Sequence, residues 1–236
     1  MIDREIILLF IFAFLPAIFY VIWIRNTEKH HRQRWISISI CFLWGASIAI
    51  IASIILELFL EVSLVISINS TNLFGLSTAI VIAPFVEELV KPFALRTKIV
   101  KSEITELEDG LIYGAVAGLG FSATENLFYG YSFLSEGFLV FLILIIIRSF
   151  GGCLLHASAT ALTGYGYGKS IINKTSKLRI IPFFILAVFA HAFYNFLVSY
   201  DIIGTISGLF FALVFVAFFI HIIRNKIRKL DRSSNI

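Results

Sequence analysis

Residues 137–168 read GFLVFLILIIIRSFGGCLLHASATALTGYGYG. Before its C-terminal glycines the run is apolar on every face, and it holds one charged side chain, Arg148, and one histidine, His156. A helix crosses the hydrocarbon of a bilayer with about 20 apolar residues, so this segment spans with length to spare. The excess predicts strong tilt or a break, and Gly151-Gly152 is the natural place for a break.

Six more apolar runs flank it, at about 6–24, 36–60, 73–95, 110–131, 180–200 and 204–223. Composition agrees with that reading. Of 236 residues 59% are hydrophobic and 14% charged, against about 45–50% and about 25% in soluble domains. Mean hydropathy is +0.94. A disordered chain, a disulfide scaffold and an ordinary soluble enzyme are excluded. The expected fold is all-α, a polytopic membrane bundle of about seven transmembrane helices in the cell membrane. The first run is too long for a signal-peptide core and follows Asp3 and Glu5, so it reads as a span and not as a cleaved leader. Cys41 and Cys153 lie in separate apolar runs and read as small core residues.

Charge sets the expected orientation. Arg25, Lys29, Arg32 and Arg34 fall in the first connection, Arg96, Lys98 and Lys101 in the third, and Lys169, Lys174, Lys177 and Arg179 in the fifth. The tail adds Arg224, Lys226, Arg228, Lys229 and Arg232. The alternate connections near 57–72, 131–136 and Asp201 have no Lys or Arg. Basic residues stay on the cytoplasmic side, which puts the N-terminus outside and the C-terminus inside. The net charge of +4 is thereby a topology signal, and no nucleic-acid partner is expected. One membrane domain covers 1–236: two N-terminal scaffold spans (1–71), a catalytic core (72–200), and a last span with a basic tail (201–236). Oligomeric state is not legible.

Ionisable residues inside spans are costly and mark function by default. The run near 73–95 contains Ile82-Ala-Pro-Phe-Val-Glu-Glu-Leu-Val-Lys-Pro-Phe-Ala-Leu95. Glu87 and Glu88 lie about 100° apart on a helix and Lys91 falls between them, about 40° from Glu87. Pro84 and Pro92 each leave a carbonyl unpaired one turn back. In the next run Gly110, Gly114 and Gly118 form a small-residue row that admits a neighbouring helix. Glu125 lies within about 20° of that row and so points inward, beside Asn126. The long run contributes His156, with Arg148 as a counter-ion and Thr160 beyond. The sixth run places His191 and Asn195 on one face. Counted from the cytoplasmic ends, Glu87, Glu125, His156 and His191 all lie between about 12 and about 22 Å deep. Glu57, Glu61 and Asp201 fall at outer loop edges and read as solvated.

Acid, acid, imidazole and imidazole at one depth form a candidate site. Burial of a carboxylate favours its neutral form and suits it to act as a general base near neutrality. His and Asn side chains can stabilise the oxyanion of a tetrahedral intermediate. Glu with two His is also a common zinc ligand set. Peptide hydrolysis fits with or without a metal. A proton- or solute-coupled transporter is the alternative, since intramembrane Glu and His also form proton relays.

Glu87-Glu88-x-x-Lys91, Phe121-x-x-x-Glu125-Asn126, His156 followed by Thr163-Gly-Tyr-Gly-Tyr-Gly168, and His191-x-x-x-Asn195 resemble the four motifs of the PrsW family of intramembrane proteases. The similarity covers about residues 72–200. The family belongs with CAAX prenyl endopeptidases and bacteriocin-processing enzymes. In the prenyl endopeptidases a His stands where this chain has Glu125. The resemblance implies cleavage of a membrane-anchored protein, anti-sigma factors being one substrate class, cut at the outer side. It also implies that the base is Glu87 or Glu88, that Lys91 holds the other carboxylate, and that Glu125 shares the water or a ligand. His156, His191 and Asn195 would then bind the scissile carbonyl, with Asn126 beside Glu125. A divalent metal such as Zn2+, if used, has Glu87, Glu125, His156 and His191 as candidate ligands.

Overall fold

The structure, a computed structural model, describes residues 2–65, 78–200 and 204–233, and among these it is all-helical. Helix α1 covers Ile2–Arg25. Helix α2, Trp35–Leu43, runs through a π-helical turn, Trp44–Ala49, into α3, Ile50–Val65. A second π-turn, Thr78–Ile82, leads into α4, Ala83–Val90, which tightens into a 3-10 segment, Lys91–Arg96. The short α5, Lys98–Ser102, is followed by α6, Leu107–Phe133, α7, Phe138–Ile172, and a 3-10 turn, Lys177–Ile180. Helices α8, Ile181–Ser199, and α9, Thr205–Ser233, complete the described chain.

Among the described residues five helices are long and apolar enough to cross a membrane: Arg4–Arg25, Trp35–Ser63, Phe138–Ile172, Lys177–Ser199 and Thr205–Ser233. The run at 110–131, expected to span, forms α6, which is not among the five because its Gly, Glu and Asn content lowers its hydropathy. The expected span at 73–95 begins outside the described residues, as does Asp201. Its described part is three short pieces, and the breaks fit the two prolines. Pro84 enters the first turn of α4, and Pro92 sits where α-helix becomes 3-10.

Helix α6 is the hub. It packs most heavily on α7 and next on α1, and every residue from Glu108 to Ala123 is buried. At Gly114 an added methyl would meet the Thr160 carbonyl of α7, and at Gly118 that of His156. Glycine there lets two backbones touch, which suits helix association by van der Waals contact in lipid. The opposite face of α6 meets the end of α2 and the π-turn closely, with Gly120 against the Phe42 carbonyl and the Ala46 backbone nitrogen.

One expectation is corrected here. Helix α7 is continuous across Gly151-Gly152. At Gly151 an added methyl would strike the Tyr194 hydroxyl, so Gly151 serves packing and not a break. The last span continues helically through the basic tail to Ser233. Asp231 accepts hydrogen bonds from the backbone N–H of Lys29 (3.2 Å) and His30 (3.3 Å). Arg224 donates to Thr27 Oγ1 at 2.9 Å and stacks 3.6 Å from the Trp23 ring. The basic connections therefore gather at one end of the bundle, where Arg34 also pairs with Glu103 at 3.0 Å. Cys41 and Cys153 are both buried and unpaired with each other.

Candidate active site

Four elements bring their ionisable side chains to one buried network. Helix α4 and the turn after it supply Glu87, Glu88 and Lys91. Lys91 Nζ donates to Glu87 Oε2 (2.8 Å) and Glu88 Oε1 (2.9 Å) and lies 2.8 Å from His156 Nδ1 on α7. The i+3 and i+4 spacing puts the ammonium between its own two carboxylates. The Phe121 ring, 4.2 Å from Nζ, closes another side.

Each imidazole is held from behind by a carboxylate. His156 Nε2 lies 2.8 Å from Glu125 Oε2 of α6. Lys91 occupies Nδ1 as a donor, so the ring proton sits on Nε2 and Glu125 accepts it. His191 of α8 has Nδ1 3.0 Å from Glu88 Oε1, and its Nε2 turns toward Glu87 at 4.0 Å. Glu88 is fully enclosed, with its second oxygen accepting from Thr160 Oγ1 at 2.9 Å. Glu125 is further pinned by Arg148 Nη2 at 2.9 Å.

The remaining expected residues support this network. Asn126 Oδ1 accepts from Arg148 Nε at 2.8 Å, which fixes the guanidinium against Glu125. Asn195 shares a helix face with His191, but its amide donates to the Ala79 carbonyl at 2.8 Å. That carbonyl lies in the π-turn before Pro84, so Asn195 ties α8 to the irregular entry of α4. Trp44 performs the same service at the exit, donating to the Val90 carbonyl at 3.2 Å.

A cavity of ≈ 420 Å³ opens beside the network, lined by Glu87, Glu125, Phe121 and Thr78 and also by Glu57 and Glu61 of α3. The last two correct the expectation that they are solvated loop-edge residues. Helix α3 continues through both and turns them to the cavity. Glu57 Oε1 is buried with no hydrogen-bond partner among the described residues. The period of α3 could not show this, because the π-turn at Trp44–Ala49 shifts the facing of everything after it.

Glu87, His156 and His191 each offer a ligand atom, all within 4.8 Å of one another. Glu87 Oε2 is 3.7 Å from His156 Nδ1 and 4.0 Å from His191 Nε2. Tetrahedral zinc with bonds near 2.0–2.1 Å sets its ligands about 3.3 Å apart, so the two Glu87 edges would have to close by roughly half an ångström and the two rings would have to draw together as well. Both rings have their far nitrogen on a carboxylate, the arrangement that orients metal-ligating histidines. The donor set fits a divalent metal. The Lys91 ammonium now bonds two of the three atoms and would have to withdraw.

The profile described as "PrsW family intramembrane metalloprotease" matches residues 33–222. The chain belongs to the PrsW family. All eight expected site residues lie within the match. A curated relative, "Protease PrsW" of Clostridioides difficile (strain 630), is 30% identical over 125 residues, 52% of this chain and 51% of the relative. The chain thus aligns with about half the length of that protein. No solved structure matches it. Membership of a family of intramembrane proteases agrees with a polar centre enclosed by lipid-facing helices.

Proposed function

We propose that this PrsW-family chain is an endopeptidase of the cell membrane that hydrolyses a peptide bond in a membrane-anchored protein, of the anti-sigma-factor-like kind. The observation that carries this reading is the convergence of two imidazoles on Glu87, each ring backed by a further carboxylate, at the wall of a cavity. In this reading the chain crosses the bilayer seven times with its N-terminus outside. The cavity lies toward the end opposite the basic connections, which favours entry of a substrate segment from the outer side.

The carboxylates divide their work by exposure. Glu88 has both oxygens taken by Lys91, His191 and Thr160, so it orients and does not exchange protons with water. Glu87 faces the cavity and is the candidate to take a proton from attacking water and return it to the departing amine. Lys91 Nζ, 2.8 Å away, holds the Glu87 carboxylate in place. The near nitrogens of His156 and His191 flank Glu87, and that of His156 accepts from Lys91, so the two rings position the carboxylate and the ammonium at the cavity wall. Glu87, His156 and His191 would also hold a divalent metal such as Zn2+, which supplies Lewis-acid polarisation and a more acidic bound water. With Glu87 so engaged, Glu57, Glu61 and Glu125 are the other carboxylates lining the cavity, and Glu57 is the one with a buried oxygen that has no hydrogen-bond partner among the described residues.

The test is co-expression with single-span candidate substrates. Glu87→Gln should fold and lose cleavage by about 10²-fold or more. Intact cleavage in both Glu87→Ala and Glu88→Ala would reject the reading. Metal analysis of purified wild type, His156→Ala and His191→Ala separates the two forms. One bound ion per chain, lost in both variants, supports the metal form; a metal-free, chelator-insensitive enzyme supports the glutamate form.

A further inference from the structure

A second cavity system opens at the basic end, away from the cavity bearing Glu57 and Glu125. Its outer chamber, ≈ 370 Å³, is lined by Arg96, Lys101 and Lys177 together with Tyr167, Ser170 and Thr175. No carboxylate lines it. An inner slot of ≈ 220 Å³ shares Arg96, Tyr167 and Lys177 and continues between Leu89, Ile181 and Phe184 toward Thr163 and Glu88.

Two buried hydroxyls in this system have no hydrogen-bond partner among the described residues: Thr175 Oγ1 in the chamber and Thr163 Oγ1 in the slot. Thr163 is only 2% exposed. Buried polar atoms are normally satisfied, so two orphans along one passage indicate a ligand with acceptor oxygens. Three cations around a chamber of this size call for an anion, and hydroxyls with basic side chains suit a phosphate. The slot adds an apolar path. Leu178, Ile181 and Ile185 beside it are exposed side chains of a candidate spanning segment and face lipid.

We propose that this passage binds an anionic phospholipid. The phosphodiester sits among Arg96, Lys101 and Lys177, an ester carbonyl accepts from Thr163, and an acyl chain leaves over Leu89, Ile181 and Phe184. Basic pockets between transmembrane helices are a known setting for such headgroups. A free phosphate shares the chemistry of the chamber but has nothing to place in the slot. The lipid would join three elements that carry the candidate site: the turn after Glu87 and Glu88, the end of α7 with His156, and the start of α8 with His191.

The experiment is thermal melting of the full chain in phosphatidylcholine–detergent micelles, titrated with phosphatidylglycerol or with millimolar inorganic phosphate. Phosphatidylglycerol should raise the melting temperature by several degrees. The double variant R96Q/K177Q should weaken the apparent affinity about tenfold or more. The charge-matched tail variant K229Q/R232Q should keep it. Thr163→Val, a near-isosteric change at a site without a hydrogen-bond partner, should fold and bind phosphatidylglycerol more weakly. An equal shift with phosphatidylcholine, a shift reproduced by inorganic phosphate, or unchanged binding in Thr163→Val would overturn the proposal.

Discussion

Lys91 has three acceptors within 2.9 Å and no exposure to solvent. Removing one member of a buried charge cluster leaves the others uncompensated, at a cost of about 3–5 kcal/mol. Lys91→Met should therefore lower the melting temperature sharply, and adding Glu88→Gln should recover part of the loss. A melting temperature unchanged by Lys91→Met would show that the network carries no such strain. The sequence spacing showed that Lys91 lies between its carboxylates. It could not show His156 as the third acceptor, because that contact joins residues 65 positions apart. A second residue-scale effect lies outside the membrane, in the connection after α1. Glu28 is fully buried, accepts from Gln33, and shares that amide with Asp109. Burial pushes its carboxyl up from 4.5 to about 8. The folded state therefore prefers the protonated form. The associated stability is complete below pH 4.5 and is lost as pH rises toward and through about 8. Melting curves from pH 5 to 9 should fall across this window, and Glu28→Gln should flatten that part of the profile.

Among the elements, α6 and α7 fix the distance between Glu125 and His156. Their separation depends on glycines whose missing methyls would strike backbone and not side-chain tips. Gly114→Ala places a methyl against the Thr160 carbonyl, and overpacking of this kind costs about 1–3 kcal/mol. It should lower the melting temperature and also reduce cleavage, because moving the helices apart breaks the 2.8 Å imidazole–carboxylate bond. Gly168→Ala, whose methyl would sit 3.4 Å from Gly110 Cα, should be nearly silent. Equal effects in the two variants would remove the argument. The row Gly110, Gly114 and Gly118 was legible in sequence, since residues four apart share a helix face. The continuity of α7 through Gly151-Gly152 was not, because a glycine pair reads alike whether it bends a helix or receives a Tyr194 hydroxyl. Asn195 was legible as a neighbour of His191 but not as a clamp on Ala79, a contact set by an irregular turn that hydrophobic periodicity does not describe.

For the whole molecule, apolar runs and charge alternation outline the bundle, while its polar ends depend on tertiary docking. The tail helix is held to the first connection by Asp231 and Arg224, and Arg34 reaches Glu103 in the third. Three basic segments are thus brought to one end without any reference to a membrane. The positive-inside bias assigns that end to the cytoplasm, and single-cysteine labelling can test the assignment. The two native thiols are buried and should not react with a membrane-impermeant maleimide before denaturation, so the wild-type chain serves as its own background. Cysteines replacing Arg32, Ser102, Lys174 or Lys229 should label only when the cytoplasmic face is open. A cysteine replacing Ser135, in the turn between α6 and α7, should label from outside in intact cells. Labelling of Ser135→Cys and Lys174→Cys from the same side would contradict α7 as a single crossing. Labelling of each from the opposite side to that expected would invert the orientation and move the proposed substrate entry to the cytoplasm.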